Sequence, residues 1–167
     1  MTFIESNYRE IPDNVFKLIG REWMLLTSGT KESYNMMTAS WGGLGILWMK
    51  PVCFIFVRPS RYTYEFLEKN DQFSIGFFTE EQKPILNLCG SKSGREINKM
   101  KDVELTPVED SDTVYFEESR MVFICKKIYH HDINDENFVS PVSEDIYKEG
   151  DFHRMYICEI TKCLVKE

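Results

Sequence analysis

The segment that decides the fold runs from Trp41 to Val57 and reads WGGLGILWMKPVCFIFV. It is the longest apolar stretch of the chain, but it opens with glycines and is interrupted by Lys50-Pro51. A membrane-spanning helix needs about 20 consecutive apolar residues, so this stretch is too short and too interrupted to form one. It predicts two β-strands joined by a turn.

Similar short segments, rich in aromatic and β-branched residues, recur along the chain and predict a mainly β barrel. They are Glu22–Thr27, Tyr34–Ser40, Leu44–Met49, Val52–Val57, Gln72–Phe78, Thr113–Phe116, Met121–Tyr129 and Phe152–Thr161. Val52–Val57 and Met121–Cys125 are apolar without alternation, as expected for strands covered on both faces. Peripheral helices are expected at Arg61–Lys69, Glu80–Leu88 and Arg95–Lys101. The acidic segment His131–Glu149 is expected to form a surface excursion with a helical turn.

The composition limits the classes of protein to which this chain can belong. With 43% apolar and 14% aromatic residues, the 167-residue chain can bury one core, which predicts a single domain over residues 1–167. A net charge of -7 and a pI near 5.1 argue against general affinity for nucleic acid, so any phosphate site must be local. The N-terminus lacks a secretory signal, and we expect a cytoplasmic protein. The cysteines form no CxxC pair and are expected to be reduced, with Cys53 and Cys125 in the core.

A basic stretch, Arg58-Pro59-Ser60-Arg61-Tyr62-Thr63, follows the apolar segment at the point where a strand should become a helix. Helix N-termini carry unpaired N–H groups and a partial positive charge, and arginine adds forked donors that match phosphate oxygens. The stretch therefore suits an anion. A structural alternative stays open, in which Ser60 is only the helix N-cap and the arginines pair with nearby carboxylates.

A second basic cluster, Gly90-Ser91-Lys92-Ser93-Gly94-Arg95-Glu96-Ile97-Asn98-Lys99, also falls between predicted helices. Its glycines let the backbone approach a ligand closely, and Ser93, Arg95 and Lys99 provide donors. The cluster can complete an anion-binding site, or it can be a solvated loop that caps two helices. It lacks the residue spacing of a Walker motif.

A third element, residues 35–45, reads NMMTASWGGLG and runs from a strand into a glycine-rich turn. By alternation, Thr38 and Ser40 share a strand face with Met36, which offers small donors beside soft apolar surface where a flat ring could lie. The alternative is that the methionines and Trp41 belong to the core, the commoner outcome for such residues.

His153 follows the turn Gly150-Asp151 and is expected at the start of the last strand, either as a proton donor or ring contact or as a satisfied, partly buried histidine. His130 and His131 lack the spacing and companions of metal ligands, so no metal site is expected. The chain has neither a GxSxG nor a GxGxxG motif, which disfavours a hydrolase and a Rossmann site.

Together these pieces resemble the flavin reductase-like, flavoredoxin-related family, and they occur in the family's order over roughly residues 10–162. The resemblance implies a split β-barrel that binds FMN at the interface of a homodimer. By position, Asn35, Thr38, Ser40 and Trp41 would surround the ring and ribityl chain, and Arg58, Ser60, Arg61, Tyr62 and Thr63 would hold phosphate and ribityl oxygens. Ser93, Gly94, Arg95 and Lys99 would complete the cradle, and His153 would approach the ring as the catalytic residue.

The resemblance implies an oxidoreductase of the flavin reductase type. It would take a hydride from NADH or NADPH and pass electrons to free flavin, a small redox protein or another acceptor, with FMN carrying out the transfer. Two alternatives stay open: a flavoredoxin-like electron carrier reduced by a protein partner, and a non-catalytic flavin-binding β-barrel module. No nucleic-acid or membrane partner is expected.

Overall fold

The computed structural model describes residues 2–142 and 145–167. The strands are β1 (Phe3–Glu5), β2 (Met24–Thr30), β3 (Ser33–Ala39), β4 (Gly42–Leu47), β5 (Lys50–Val57), β6 (Gln72–Phe77), β7 (Pro107–Asp110), β8 (Thr113–Phe116), β9 (Met121–Asp132) and β10 (Arg154–Lys166). The helices are α1 (Val15–Lys17, continued by a π-helical turn over Leu18–Glu22), α2 (Tyr62–Lys69), α3 (Lys83–Ser91) and α4 (Lys99–Asp102). Single 3-10 turns occupy Tyr8–Glu10, Glu80–Gln82 and Asp135–Asn137. Within the described ranges, no helix is both long enough and apolar enough to cross a membrane.

One antiparallel sheet forms most of the fold. Its strand order is β3-β2-β6-β9-β10-β5-β4, with β1 paired to β10, while β7 and β8 pair with each other. Side chains from β2, β3, β5, β6, β9 and β10 meet in one buried cluster, so the sheet curls around its own apolar face. The prediction of a mainly β split barrel with a few peripheral helices is confirmed.

The apolar segment Trp41–Val57 contains the β4–β5 hairpin, as predicted. Trp48 and Met49 form its two-residue turn, with φ angles of 48° and 59°. A tight hairpin turn whose two central residues both have positive φ matches the right-handed twist of its strands. From this turn β5 runs back between β4 and β10 and ends at Val57, immediately before the basic stretch.

Several element boundaries differ from the sequence-based expectation. Strands β9 and β10 are longer than predicted because they pair with each other over most of their lengths, which extends both. The short strands β1 and β7 carry no strand pattern of their own and were not predicted. The predicted helix Arg95–Lys101 is wrong over its first part, because the helix starts only at Lys99. Before it, the chain forms tight turns in which the Ser93 carbonyl accepts hydrogen bonds from the N–H groups of Glu96 and Ile97.

Other expectations hold. Residues 133–142 and 145–153, here the excursion, lie between β9 and β10 and include the 3-10 turn at Asp135–Asn137, so the predicted surface excursion with a helical turn is confirmed for these residues. Its predicted start at His131 is wrong, because His131 and Asp132 belong to β9, and its predicted part at residues 143 and 144 lies outside the described residues. The cysteines are all free and buried. Met121–Cys125 is buried throughout, as expected for a strand covered on both faces.

Candidate functional site

A groove of two connected pockets lies where β3, the end of β5 and the start of α2 meet. The first, here the His153 pocket, has a volume of about 220 Å³ and is lined by Met37, Thr38, Ala39, Ser40, Trp41, Phe56, Arg58, Arg61 and His153. The second, here the Thr63 pocket, has a volume of about 150 Å³ and is lined by Asn35, Met37, Ser60, Arg61, Tyr62, Thr63, Lys92, Ser93, Gly94 and Lys99. Met37 and Arg61 line both pockets and therefore join them.

The groove brings together residues from all the motifs singled out in the sequence. Of the residues expected to bind a cofactor, only Arg95 lines neither pocket. Its guanidinium instead donates to the Ser60 carbonyl at 2.9 Å, pairs with Glu65, and lies 4.9 Å from the centre of the Tyr62 ring. Arg95 thus braces the outside of the groove wall.

The groove lining is cationic in a chain whose net charge is -7. Arg58, Arg61, Lys92 and Lys99 contribute positive charge, and among the described residues no aspartate or glutamate lines either pocket. Positive charge concentrated in a concave site attracts anions, although Asp151 lies 3.9 Å from Arg58 and offsets part of that charge. The groove therefore suits an anion, and its use as a phosphate site stays a prediction.

The start of α2 shapes the Thr63 pocket. Arg61 is the N-cap residue, so the N–H groups of Tyr62 and Thr63 lie in the first helical turn, where backbone donors have no intrahelical acceptor. The half-buried Arg61 guanidinium donates to the Gly90 carbonyl at 2.8 Å. Its pKa is lowered by burial and by neighbouring Arg58. This crowding of positive charge would be relieved by a bound anion.

Asn35 and Gly94 form a tight contact in the wall of the Thr63 pocket. Asn35 is buried and its side-chain amide donates to Thr63 Oγ1 at 2.8 Å. A Cβ atom at Gly94 would lie 2.2 Å from Asn35 Oδ1 and 2.7 Å from Tyr62 Cδ1. No side chain fits at position 94 without moving this wall.

Lys99 contributes charge from beneath the groove. Its ammonium group is buried and donates to the carbonyls of Met36 and Cys89, each at 2.8 Å. Burial lowers the pKa of Lys99 to about 8, and the nearby Arg61 adds to that effect. The hydrogen bonds tie β3 to α3, so Lys99 both braces the site and adds to its positive field.

At the end of β3, side chains from both faces of the strand line the groove. Met36 is buried in the cluster that packs against α3, so the core alternative is confirmed for this residue. Thr38 Oγ1 donates to the Leu86 carbonyl at 2.5 Å. Met37 lines both pockets. The sequence could have identified Met37 as a groove residue, because it lies two positions after Asn35 and residues two apart share a strand face. Phe56, Ala39 and Lys92 also line the groove and were not predicted.

His153 forms part of the wall of its pocket, 7% exposed and immediately before β10. Its ring centre lies 5.2 Å from that of Trp41, and its Nδ1 lies 2.9 Å from the Tyr147 hydroxyl. Burial lowers the pKa of His153 to about 4, and Arg58 and Arg61 contribute, so the imidazole is neutral near pH 7. Tyr147 was missed because nothing in its acidic surroundings marks it in the sequence.

Two residues of the basic stretch anchor the excursion to the barrel. An Arg58 amino group donates to the Ile146 carbonyl at 2.6 Å, and the Ser60 hydroxyl donates to Asp151 at 2.5 Å. Arg58 lines the His153 pocket and not the Thr63 pocket. Its assignment to a phosphate therefore stays a prediction, and so do the ligand roles of the other groove residues.

The fold and the sequence match known proteins. The model of the family described as flavin reductase like domain matches residues 16–167. A flavoredoxin from Methanosarcina acetivorans is 19% identical with a TM-score of 0.69, over 97% of this chain and 77% of that chain. A flavoredoxin of Desulfovibrio vulgaris (Miyazaki F) is 24% identical with a TM-score of 0.67, over 87% of this chain and 69% of that chain. An NADH:FAD oxidoreductase of Streptomyces globisporus is 13% identical with a TM-score of 0.65, over 87% of this chain and 75% of that chain. No curated protein sequence matches the chain.

Proposed function

Since the chain belongs to the flavin reductase like domain family, we propose that it binds FMN in the groove and acts as an oxidoreductase that uses NADH or NADPH. The cationic groove in an acidic chain carries this proposal, because its two pockets offer two chemically different environments. The His153 pocket offers the side chains of Trp41, Phe56 and Met37, and the Thr63 pocket offers cations and the start of a helix.

The residues present fit the parts of FMN. A planar ring packs favourably against aromatic and thioether side chains, which the His153 pocket supplies. A phosphate suits the Thr63 pocket, where the Arg61 guanidinium and the first N–H groups of α2 converge. The contact of Gly94 with Asn35 keeps this end of the groove free of a side chain.

FMN, when bound, supplies the hydride and electron chemistry. The protein's own residues hold the cofactor, exclude water and set the charge around it. Neutral His153 can donate one hydrogen bond into its pocket, and Arg58 places a positive charge beside it. Negative charge that develops on a ring in this pocket would be stabilised by these groups.

Anaerobic mixing with NADH or NADPH tests the reductase. We expect the absorbance of the FMN-loaded protein to bleach in a rapid, saturable phase, and steady-state oxidation of the nicotinamide to follow when free flavin is added. Slow bleaching with normal FMN binding would favour the flavoredoxin-like carrier. Background oxidation with every acceptor tried would favour a non-catalytic flavin-binding module.

The β4–β5 hairpin supports the further proposal of a homodimer. Its side chains Ile46, Trp48 and Met49 are 64%, 61% and 97% exposed. Contiguous apolar surface of this kind on a folded domain is typical of a protein interaction site. The half-exposed Trp41 lies just before β4, at the end of the strand opposite the turn, and also lines the His153 pocket, so a second copy that covers the whole length of β4 would reach the edge of the groove.

Sedimentation velocity tests the dimer. We expect a dimer for the wild type at micromolar concentration and a monomer for the double variant Ile46→Glu with Met49→Glu, because two buried carboxylates would oppose association. Val139→Glu is the matched control, since Val139 is fully exposed but lies in the excursion. A monomeric wild type, or a double variant that stays dimeric, would refute the proposal.

A further inference from the structure

Tyr147 is the residue of the excursion that contacts His153. Its hydroxyl lies 2.9 Å from Nδ1 of the imidazole, and the two rings meet edge to face with centres 5.6 Å apart. Tyr147 lines neither pocket of the groove. The Tyr147 ring also lies near Arg58, which lines the His153 pocket, whereas the Tyr147 hydroxyl reaches the groove through its hydrogen bond with His153.

The position of Tyr147 is fixed on several sides. Its ring centre lies 4.7 Å from that of Phe152 and 6.1 Å from that of Phe138. The Arg58 guanidinium lies 5.4 Å from the centre of the same ring and also holds the neighbouring Ile146 carbonyl. The hydroxyl is thus held in place before any ligand arrives.

The direction of the hydrogen bond follows from the chemistry of the two groups. A neutral imidazole has one N–H donor and one acceptor nitrogen. His153 is neutral because it is buried beside Arg58 and Arg61, which oppose a further positive charge. A phenol O–H is a good donor and the bare nitrogen of a neutral imidazole is a good acceptor. With the Tyr147 O–H as the donor, Nδ1 accepts and the imidazole proton resides on Nε2.

We propose that Tyr147 holds His153 in the tautomer protonated on Nε2, and so makes the imidazole a hydrogen-bond donor toward the His153 pocket. Nε2 makes no hydrogen bond to any residue in the ranges 2–142 and 145–167. The next step rests on the proposed function. The Nε2–H group donates a hydrogen bond to an acceptor atom of the ring system that binds in the His153 pocket. Tyr147 is a positioning residue, because its hydroxyl acts through the imidazole.

Two-bond 1H–15N correlation spectra of the protein without flavin test the tautomer directly. The chain has three histidines, and exposed His130 and His131 serve as internal references. We expect His153 to show one tautomer, with the proton on Nε2, and Tyr147→Phe to show a mixture of both. Tyr129→Phe, which removes a hydroxyl from a largely exposed tyrosine, should leave the His153 signals unchanged. A proton on Nδ1 in the wild type, or an unaltered tautomer in Tyr147→Phe, would overturn the proposal.

The catalytic consequence is measured separately on FMN-loaded protein. We expect Tyr147→Phe to lower kcat for nicotinamide oxidation about fivefold, as the loss of one oriented hydrogen bond predicts, and to lower FMN affinity by less than that. An unchanged kcat would overturn the positioning role. Because the spectra need no flavin, a protein that fails to bind FMN would refute the proposed function and leave the tautomer result standing.

Discussion

Replacing Arg61 by alanine should weaken FMN binding about 10- to 100-fold. Arg61 lines both pockets and caps α2, so its guanidinium stands where the phosphate end of the groove begins. A hydrogen bond to a charged group contributes roughly 1.5–3 kcal/mol, and about 1.4 kcal/mol corresponds to tenfold in affinity. Fluorescence titration of the flavin-free protein with FMN measures the change.

Two further variants separate a phosphate contact from general damage. Arg61→Lys keeps the charge but loses the forked donors, and it should fall between the wild type and Arg61→Ala. Arg9→Ala is the matched control, because Arg9 is exposed and lines neither pocket. Equal FMN affinity in Arg61→Ala and the wild type would show that the phosphate does not lie in the Thr63 pocket.

Replacing Gly94 by alanine should impair both folding stability and FMN binding. The added Cβ would overlap Asn35 Oδ1 and Tyr62 Cδ1, and Asn35 is tied to buried Thr63. Overpacking of this kind costs about 1–3 kcal/mol. Relief of the overlap must displace Asn35 or the start of α2, so we expect FMN affinity to fall at least tenfold and the thermal midpoint to drop.

Gly20→Ala is the matched control for Gly94→Ala. A Cβ at Gly20 would have no neighbour within 4 Å, and this glycine lies in the π-helical turn away from the groove lining. Its FMN affinity should equal that of the wild type. If Gly94→Ala binds FMN as tightly as Gly20→Ala does, the wall formed by Asn35 and Tyr62 is not part of the cofactor site.

The sequence predicted the elements of the fold and site that depend on residues close together in the chain. The glycines and Lys50-Pro51 mark the ends of the β4–β5 hairpin, and an apolar run followed by Arg58–Thr63 marks the passage from β5 into α2. The motifs containing Asn35 and Ser93 also meet at the groove, as the family resemblance implied. Each of these segments carries its own turn, cap or alternation pattern.

The features that sequence did not predict depend on contacts between distant segments. Tyr147 lies beside His153 in a segment that Arg58 and Ser60 help to hold, and neither of these two contacts has a local signal in the sequence. The Lys99 ammonium donates to two backbone carbonyls, of β3 and α3, and the sequence around Lys99 does not indicate these contacts. Alternation indicates which residues of β3 share a face. It does not indicate which of the two faces packs on α3, because tertiary packing decides that.

A comparison of FMN with riboflavin tests the central claim most directly, because the two ligands differ only in the phosphate. Titration of the flavin-free protein should show one FMN bound per chain, with flavin absorbance perturbed and fluorescence changed on binding. Riboflavin should bind at least tenfold more weakly, because it cannot use Arg61 and the start of α2. Absence of FMN binding, or equal affinities for FMN and riboflavin, would contradict a cofactor site with its phosphate end in the Thr63 pocket.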